Sequence, residues 1–348
     1  MHARASFLPT LLMLLAVLVA CPSTVRAAEA VEKLSSAWMG EYETFIVWHA
    51  KQKGWDREAG FDLVMMPFES GANIVDSLAA YNWAVAGCGA VPLLTEQLGD
   101  YLEIIAVADD ESPANVILAR EGSPLLAAGN TDRAGRADAV KKAEILCPRG
   151  TSAHYLVGVW LKSLGLSEKD VRLVNMEPGV ALSAFRGGVG DAVALWAPLA
   201  YEAEAAGYKV VSTSRDCGIT QLVLLTANRE FAAAHPEKIR AFLGMYLRAV
   251  DEIKKIPEDE LTAEYIRFAR EWTGSDLAPE TALKDLQSHL VYNLEEQIAL
   301  LAPQGGVRAT LDDIAAFQRE HGGSDPARAT ALKNGPQVTD RYLKMLTR

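Results

Sequence analysis

Strand and helix patterns alternate along this chain from Val31 to Thr226, and few folds accommodate that rhythm. Val31–Trp38 reads as a strand. Thr44–Gly60 contains a helix with Phe45, Ile46, Trp48 and His49 on its apolar face, and Phe61–Met66 is the next strand. A short helix over Ile74–Ala80, a small-residue strand at Ala84–Ala86 and a helix over Pro92–Leu98 follow, then strands at Ile104–Ala108 and Asn115–Ala119. Successive parallel strands need long crossovers, and helices supply them. The expectation is therefore an α/β fold with mainly parallel sheets covered by helices on both faces.

After a polar, Gly-containing stretch from Ala128 to Lys142 the rhythm resumes. Strands are expected at Glu144–Cys147, Val171–Asn175, Ala192–Leu195 and Lys209–Ser212, with helices at Ser152–Leu164, Ala181–Arg186 and Pro198–Ala206. This second α/β unit matches the first in size. Gln221–Thr226 is one more strand, and the rest is helical. Its longest helix, Glu237–Lys255, carries an apolar face of Ile239, Phe242, Leu243, Tyr246, Leu247 and Val250. Later helices are expected at Leu261–Trp272, Glu280–His289 and Leu311–His321, with a short one near Asp340–Leu346. The expected organisation is one lobe of 31–118 plus 221–348, with the helical tail, and a second lobe of 119–220 inserted between its strands.

The first residues form a leader. Arg4 is followed by an apolar run, Leu11–Ala20, too short to span a bilayer and ordered as in a secretory signal. Cleavage after Ala27 gives a soluble product, with 1–27 as the signal peptide. Leu18-Val19-Ala20-Cys21 also reads as a lipobox, which would leave an acylated Cys21. Removing the leader leaves about 320 residues, more than one core usually organises. The net charge is −11 and no Lys/Arg cluster occurs, so nucleic-acid binding is not expected. Of the four cysteines, Cys88, Cys147 and Cys217 remain beyond the leader, an odd number that argues against a disulfide framework. No metal-ligand spacing, Walker loop, GxSxG or HExxH occurs. Neither a cofactor nor catalysis is expected.

In open parallel sheets, ligands bind beyond the carboxyl ends of the strands. The residues following each strand are therefore the candidates: Glu41 and Tyr42, Ser70 and Gly71, Cys88, Asp110 and Glu111 within Asp109–Glu111, then Arg149–His154, and Trp196. Of these, Arg149-Gly150-Thr151-Ser152-Ala153-His154 is the sharpest. Gly150 allows a tight turn, Thr151 or Ser152 caps the next helix, and its free N–H groups form an anion site without a charged side chain. Glu41 and Asp109–Glu111 would instead favour an ammonium group, and Tyr42 and Trp196 could offer it aromatic faces. A ligand with both an acidic and an amino end satisfies both walls.

The string Ile145-Leu146-Cys147-Pro148-Arg149-Gly150-Thr151-Ser152-Ala153-His154-Tyr155-Leu156 resembles the signature of sulfonate, taurine and nitrate substrate-binding proteins, a family that also includes thiamine-precursor binders. Lys162–Ser167, Asp170-Val171, Gly190-Asp191-Ala192 with Trp196-Ala197-Pro198, and His235-Pro236-Glu237 agree in order and spacing. In the first unit, Ala50–Gly54 and Gly60–Leu63 do so too. The resemblance runs over most of 31–256. It implies a type II periplasmic-binding-protein fold whose two lobes close on a small ligand in the cleft between them, without chemistry. Contacts are implied at Ser70-Gly71, Cys88, Thr151-Ser152-His154 and Trp196. Also implied are export to the periplasm, an ABC permease and ATPase as partners, and a monomer. Two alternatives are a binder of a thiamine-precursor pyrimidine or small nitrogenous cation, and a thiamine-pyrimidine synthase-like enzyme. The leader speaks against the enzyme.

Overall fold

The computed structural model describes residues 31–95, 101–127, 133–321 and 337–347. The leader, with Cys21 and both cleavage sites, lies outside these residues, as does Leu98. In chain order the first elements are β1 (Glu32–Trp38), α1 (Tyr42–Gln52), α2 (Trp55–Glu58), β2 (Phe61–Pro67), α3 (Gly71–Tyr81), β3 (Val85–Gly89), α4 (Ala90–Thr95) and β4 (Leu102–Asp110). The second group is β5 (Val116–Ala119), α5 (Pro124–Ala127), α6 (Arg133–Val140), β6 (Glu144–Leu146), α7 (Ser152–Ser163), β7 (Arg172–Val174), α8 (Pro178–Arg186), β8 (Ala192–Leu195), α9 (Leu199–Ala205) and β9 (Lys209–Thr213). Then come β10 (Leu222–Asn228), α10 (Arg229–Ala234), α11 (Pro236–Ile253), α12 (Glu258–Trp272), α13 (Pro279–Leu286), α14 (Leu294–Leu301), α15 (Gly306–His321), β11 (Gln337–Val338) and a last short helix, Arg341–Lys344.

Two sheets result. One has the order β11-β4-β10-β3-β1-β2, the other β7-β6-β8-β5-β9. The chain leaves the first after Asp110 and returns to it at Leu222. Neither sheet is purely parallel. β10 runs antiparallel to β3 and β4, and β5 antiparallel to β8 and β9. The reason is the crossing. The other strands point their carboxyl ends at the opposite lobe, so a strand entering from that lobe starts at the facing edge and must run away from it. The crossing segments are stitched together: Glu111 N donates to Gln221 O at 2.9 Å, and Gln221 N to Ser112 Oγ at 2.9 Å.

Packing explains the remaining differences from the sequence reading. The helix expected over Thr44–Gly60 is two helices, because Gly54 adopts φ 73°, a left-handed turn that ends the first and that glycine takes without strain. The polar stretch before Lys142 contains α6. Ala137 and Val140 face inward there, so even a mostly polar segment finds a narrow apolar stripe. β4 and β10 are buried almost throughout, as central strands covered on both faces must be. The face of α11 built from Ile239, Phe242, Leu243, Tyr246, Leu247 and Val250 is buried against the first sheet's core. The second sheet has one apolar cluster around Ile145, Leu156 and Trp160 and another around Leu146, Phe185 and Leu195. The tail also reaches the second lobe. A methyl on Gly158 of α7 would overlap the Phe317 ring of α15.

Candidate ligand site

Three helix N-termini meet where the strand ends of the two lobes face each other. Glu41 stands at the N-cap of α1, and its side chain caps nothing there. Ser70 caps α3, accepting from Asn73 N at 3.4 Å, and Gly71 begins that helix. The site requires glycine at 71, since a Cβ would come within 2.8 Å of Pro92 and 3.1 Å of Cys88. Thr151 occupies the N-cap of α7, but its hydroxyl donates to Pro148 O at 2.6 Å rather than capping. The first backbone bond of that turn runs from Tyr155 N to Thr151 O, so the N–H groups of Ser152, Ala153 and His154 precede the ladder.

These ends enclose a pocket of about 10 Å³ lined by Met39, Glu41, Gly71, Glu111, Thr151, Ser152 and Trp196, among others. Trp196 ends β8 in the second lobe and spans the cleft. Its indole Nε1 donates to Glu41 Oε1, and both side chains are buried. On the outer side of Trp196 the cleft opens into a larger cavity of about 670 Å³. Further bonds join α9 to the helical tail: Tyr201 OH donates to Ser288 Oγ at 2.7 Å, Ser275 Oγ to Glu202 at 3.1 Å, and Lys284 pairs with Glu204 at 2.7 Å.

The electrostatics are unusual for so small a volume. Glu41, Glu43, Asp109 and Glu111 are all buried here. Burial holds Glu41 and Glu43 well above the usual carboxylate range, and their acidic neighbours add to the effect. Glu111 is pushed up to about 8, by burial first and then by Asp109. Behind them His289 lies between Asp109 Oδ1 at 2.9 Å and Asp285 Oδ1 at 3.0 Å. Burial opposes charge on that imidazole, yet the two carboxylates together raise its pKa well above the ordinary value. Tyr265 OH donates to Asp285 at 2.6 Å, and Tyr42 stacks on the His289 ring at 4.7 Å. The pocket thus offers two opposed environments. Carboxyl groups from the first lobe suit a cationic nitrogen, whereas helix N-termini, above all that of α7, suit an acid.

Of the residues singled out in the sequence, Glu41, Gly71, Glu111, Thr151, Ser152 and Trp196 line one pocket. Tyr42 and Ser70 stand behind it, the first against His289 and the second as a helix cap. Cys88 is fully buried on β3 beneath Gly71, and burial raises its thiol pKa. Asp110 is turned to Ser112, whose N–H donates to it at 2.9 Å. His154 is engaged at both ring nitrogens, accepting from Gly150 N at 3.3 Å and lying 2.9 Å from Glu168. Sequence reasoning missed Glu43, Asp285 and His289. A signal existed for the last two, since residues four apart near a helix end share one face. It also missed the outer walls at Phe68, Pro178–Val180, Glu202 and Trp272.

The profile of the NMT1-like family matches residues 28–267. The chain belongs to that family. This NMT1-like protein is 26% identical over 270 residues, 75% of the chain and 76% of the relative, to a Brachyspira hyodysenteriae protein named as an ABC transporter periplasmic binding protein. It is 26% identical over 299 residues, 83% of the chain and 86% of the relative, to the taurine-binding periplasmic protein of Escherichia coli. The alkanesulfonate-binding protein of Xanthomonas axonopodis pv. citri superposes with a TM-score of 0.65 at 20% identity, covering 88% of this chain and 99% of that one. The NMT1-like chain therefore has the two-lobed periplasmic-binding-protein fold, and its relatives are binding proteins rather than enzymes.

Proposed function

We propose that this protein is the exported solute-binding component of an ABC importer and that its ligand is an amino-sulfonate of the taurine type. The observation that carries the reading is the division of one interlobe pocket between two chemistries; as closed by the Trp196–Glu41 bond it holds about one water, so the lobes part to admit the ligand. Glu41 and Glu111 from the first lobe give up the protons that burial holds on them and, as carboxylates, receive the ammonium. The first-turn N–H groups of α7 from the second lobe receive the sulfonate. Two relatives of different names, one a periplasmic binding protein and one a taurine-binding protein, support the class. The leader supports export to the periplasm, where a membrane permease and ATPase would accept the loaded protein. Among the described residues no helix is long and apolar enough to cross a membrane. A ligand that binds only the native state raises stability by mass action. Taurine at a hundredfold excess over its Kd should stabilise the protein by about 2.7 kcal/mol, read as a rise in melting temperature, and should be recovered chemically unchanged. No shift with taurine, or conversion of the bound compound, contradicts the proposal.

A further inference from the structure

Beside α7 lies a separate cavity of about 250 Å³ that shares no lining residue with the ligand cleft. Tyr155 lines it from α7, three residues beyond the Ser152 that faces the cleft. Ile219 and Leu222 line it from the segment returning from the second lobe, and Tyr292, Thr310 and Asp313 from the helical tail. An occupant therefore touches both lobes and one of the segments that join them.

Three hydroxyls in this wall lack partners. Tyr155 is 4% exposed and Thr310 8%, and neither hydroxyl makes a hydrogen bond among the described residues. The hydroxyl of the half-buried Tyr292 makes none either. Buried polar groups are ordinarily paired, with protein or with something bound. The charge around the cavity has one sign. Asp313 stands exposed at the rim without an ion pair, and no Lys, Arg or His is among the described residues that line the wall. Burial first and Asp313 next push the Tyr155 hydroxyl up to about 12, and burial, Asp110, Asp109 and Glu296 do the same for Tyr292. Aromatic rings beside a free carboxylate attract an organic cation, through the ring quadrupole and through charge. Hydroxyls that both donate and accept suit a ligand with a hydroxyl of its own.

We propose that this cavity is a second binding site, which takes a small alkylammonium ion carrying a hydroxyl group. The charged nitrogen lies against the tyrosine rings and near Asp313, and the ligand hydroxyl bonds to Thr310 and Tyr155. The volume falls just below the roughly 300 Å³ at which pockets for drug-sized ligands begin, so the ligand is small. The inference is independent of what the interlobe cleft takes.

The test is calorimetric titration of the mature protein with choline and with 3,3-dimethylbutan-1-ol, which has the same shape with carbon in place of the charged nitrogen. Choline should bind at least about tenfold tighter than the alcohol, the combined effect of a cation–aromatic contact and one carboxylate. Asp313→Lys reverses the charge at an exposed position, which spares the fold, and should abolish that preference. Tyr155→Phe keeps the ring, removes the hydroxyl and should weaken choline binding by about threefold to tenfold. Glu41→Gln alters the interlobe cleft instead and should leave choline binding unchanged. The inference is overturned if choline does not bind, if the alcohol binds as tightly, or if choline binding is undiminished in either cavity variant. A loss in Glu41→Gln equal to that in Asp313→Lys would put choline in the cleft and overturn it as well.

Discussion

Glu111 lies between the lobes, where burial and Asp109 outweigh the opposing pull of His289, and its pKa of about 8 has a consequence for stability. The unfolded chain releases that proton near 4.5, while the folded chain keeps it until about 8. Folding therefore takes up a proton between these values, and stability falls as pH rises from about 4.5 to about 8, levelling above. Glu41, Glu43 and Asp109 shift in the same direction and steepen the fall. Melting temperatures measured across this window should drop with pH, and Glu111→Gln should flatten its share of the drop. A variant profile parallel to the wild type would show that Glu111 does not hold its proton. The same groups account for what was legible at this scale. Glu41, Glu111 and Thr151-Ser152 stand directly after strands, where an open sheet puts its ligand. Glu43 and His289 reach the site through the packing of α1 and of the turn after α13, which strand order does not announce; the four-residue spacing of Asp285 and His289 was the one local sign. The resemblance implied contacts at Cys88 and His154; Cys88 is packed beneath Gly71 and His154 is paired with Glu168.

At the scale of the element, α7 connects the ligand end to the core. Its N-terminus faces the pocket, and its middle packs against α15, where Gly158 receives the Phe317 ring. Gly158→Ala forces the ring or the helix to move. It should destabilise the protein by about 1–3 kcal/mol, the usual cost of overpacking, measured by denaturant unfolding. An unchanged midpoint would show that α15 yields freely. Gly71→Ala is constrained by Pro92 and Cys88 at the mouth of the pocket, so its methyl should displace α3 or α4 and weaken ligand binding more than it lowers stability. Equal loss of both would mark Gly71 as a packing residue only. Element order was largely legible, because buried strands and amphipathic helices differ in period. Boundaries failed where a single residue decides, as at Gly54. The mixed direction of the sheets failed because strand pattern carries no sign of which lobe a strand enters from.

For the whole molecule, the division into two sheets and the paired crossing segments make hinge closure the natural response to a ligand shared by both lobes. Small-angle scattering should show a smaller radius of gyration with taurine than without, and an unchanged radius would mean that the lobes do not move. The central claim is that opposite walls recognise opposite charges on one solute. Calorimetric titration of taurine and ethanesulfonate into the wild type and Glu41→Gln tests it most directly, since the two sulfonates differ by the ammonium group alone. The account predicts that taurine binds the wild type more tightly. It also predicts that Glu41→Gln costs taurine about 2–5 kcal/mol, much of it from the unpaired ammonium, while ethanesulfonate is unaffected or improved. Taurine affinity that is unchanged or higher in Glu41→Gln would contradict the account and leave the cleft as a site for a plain anion.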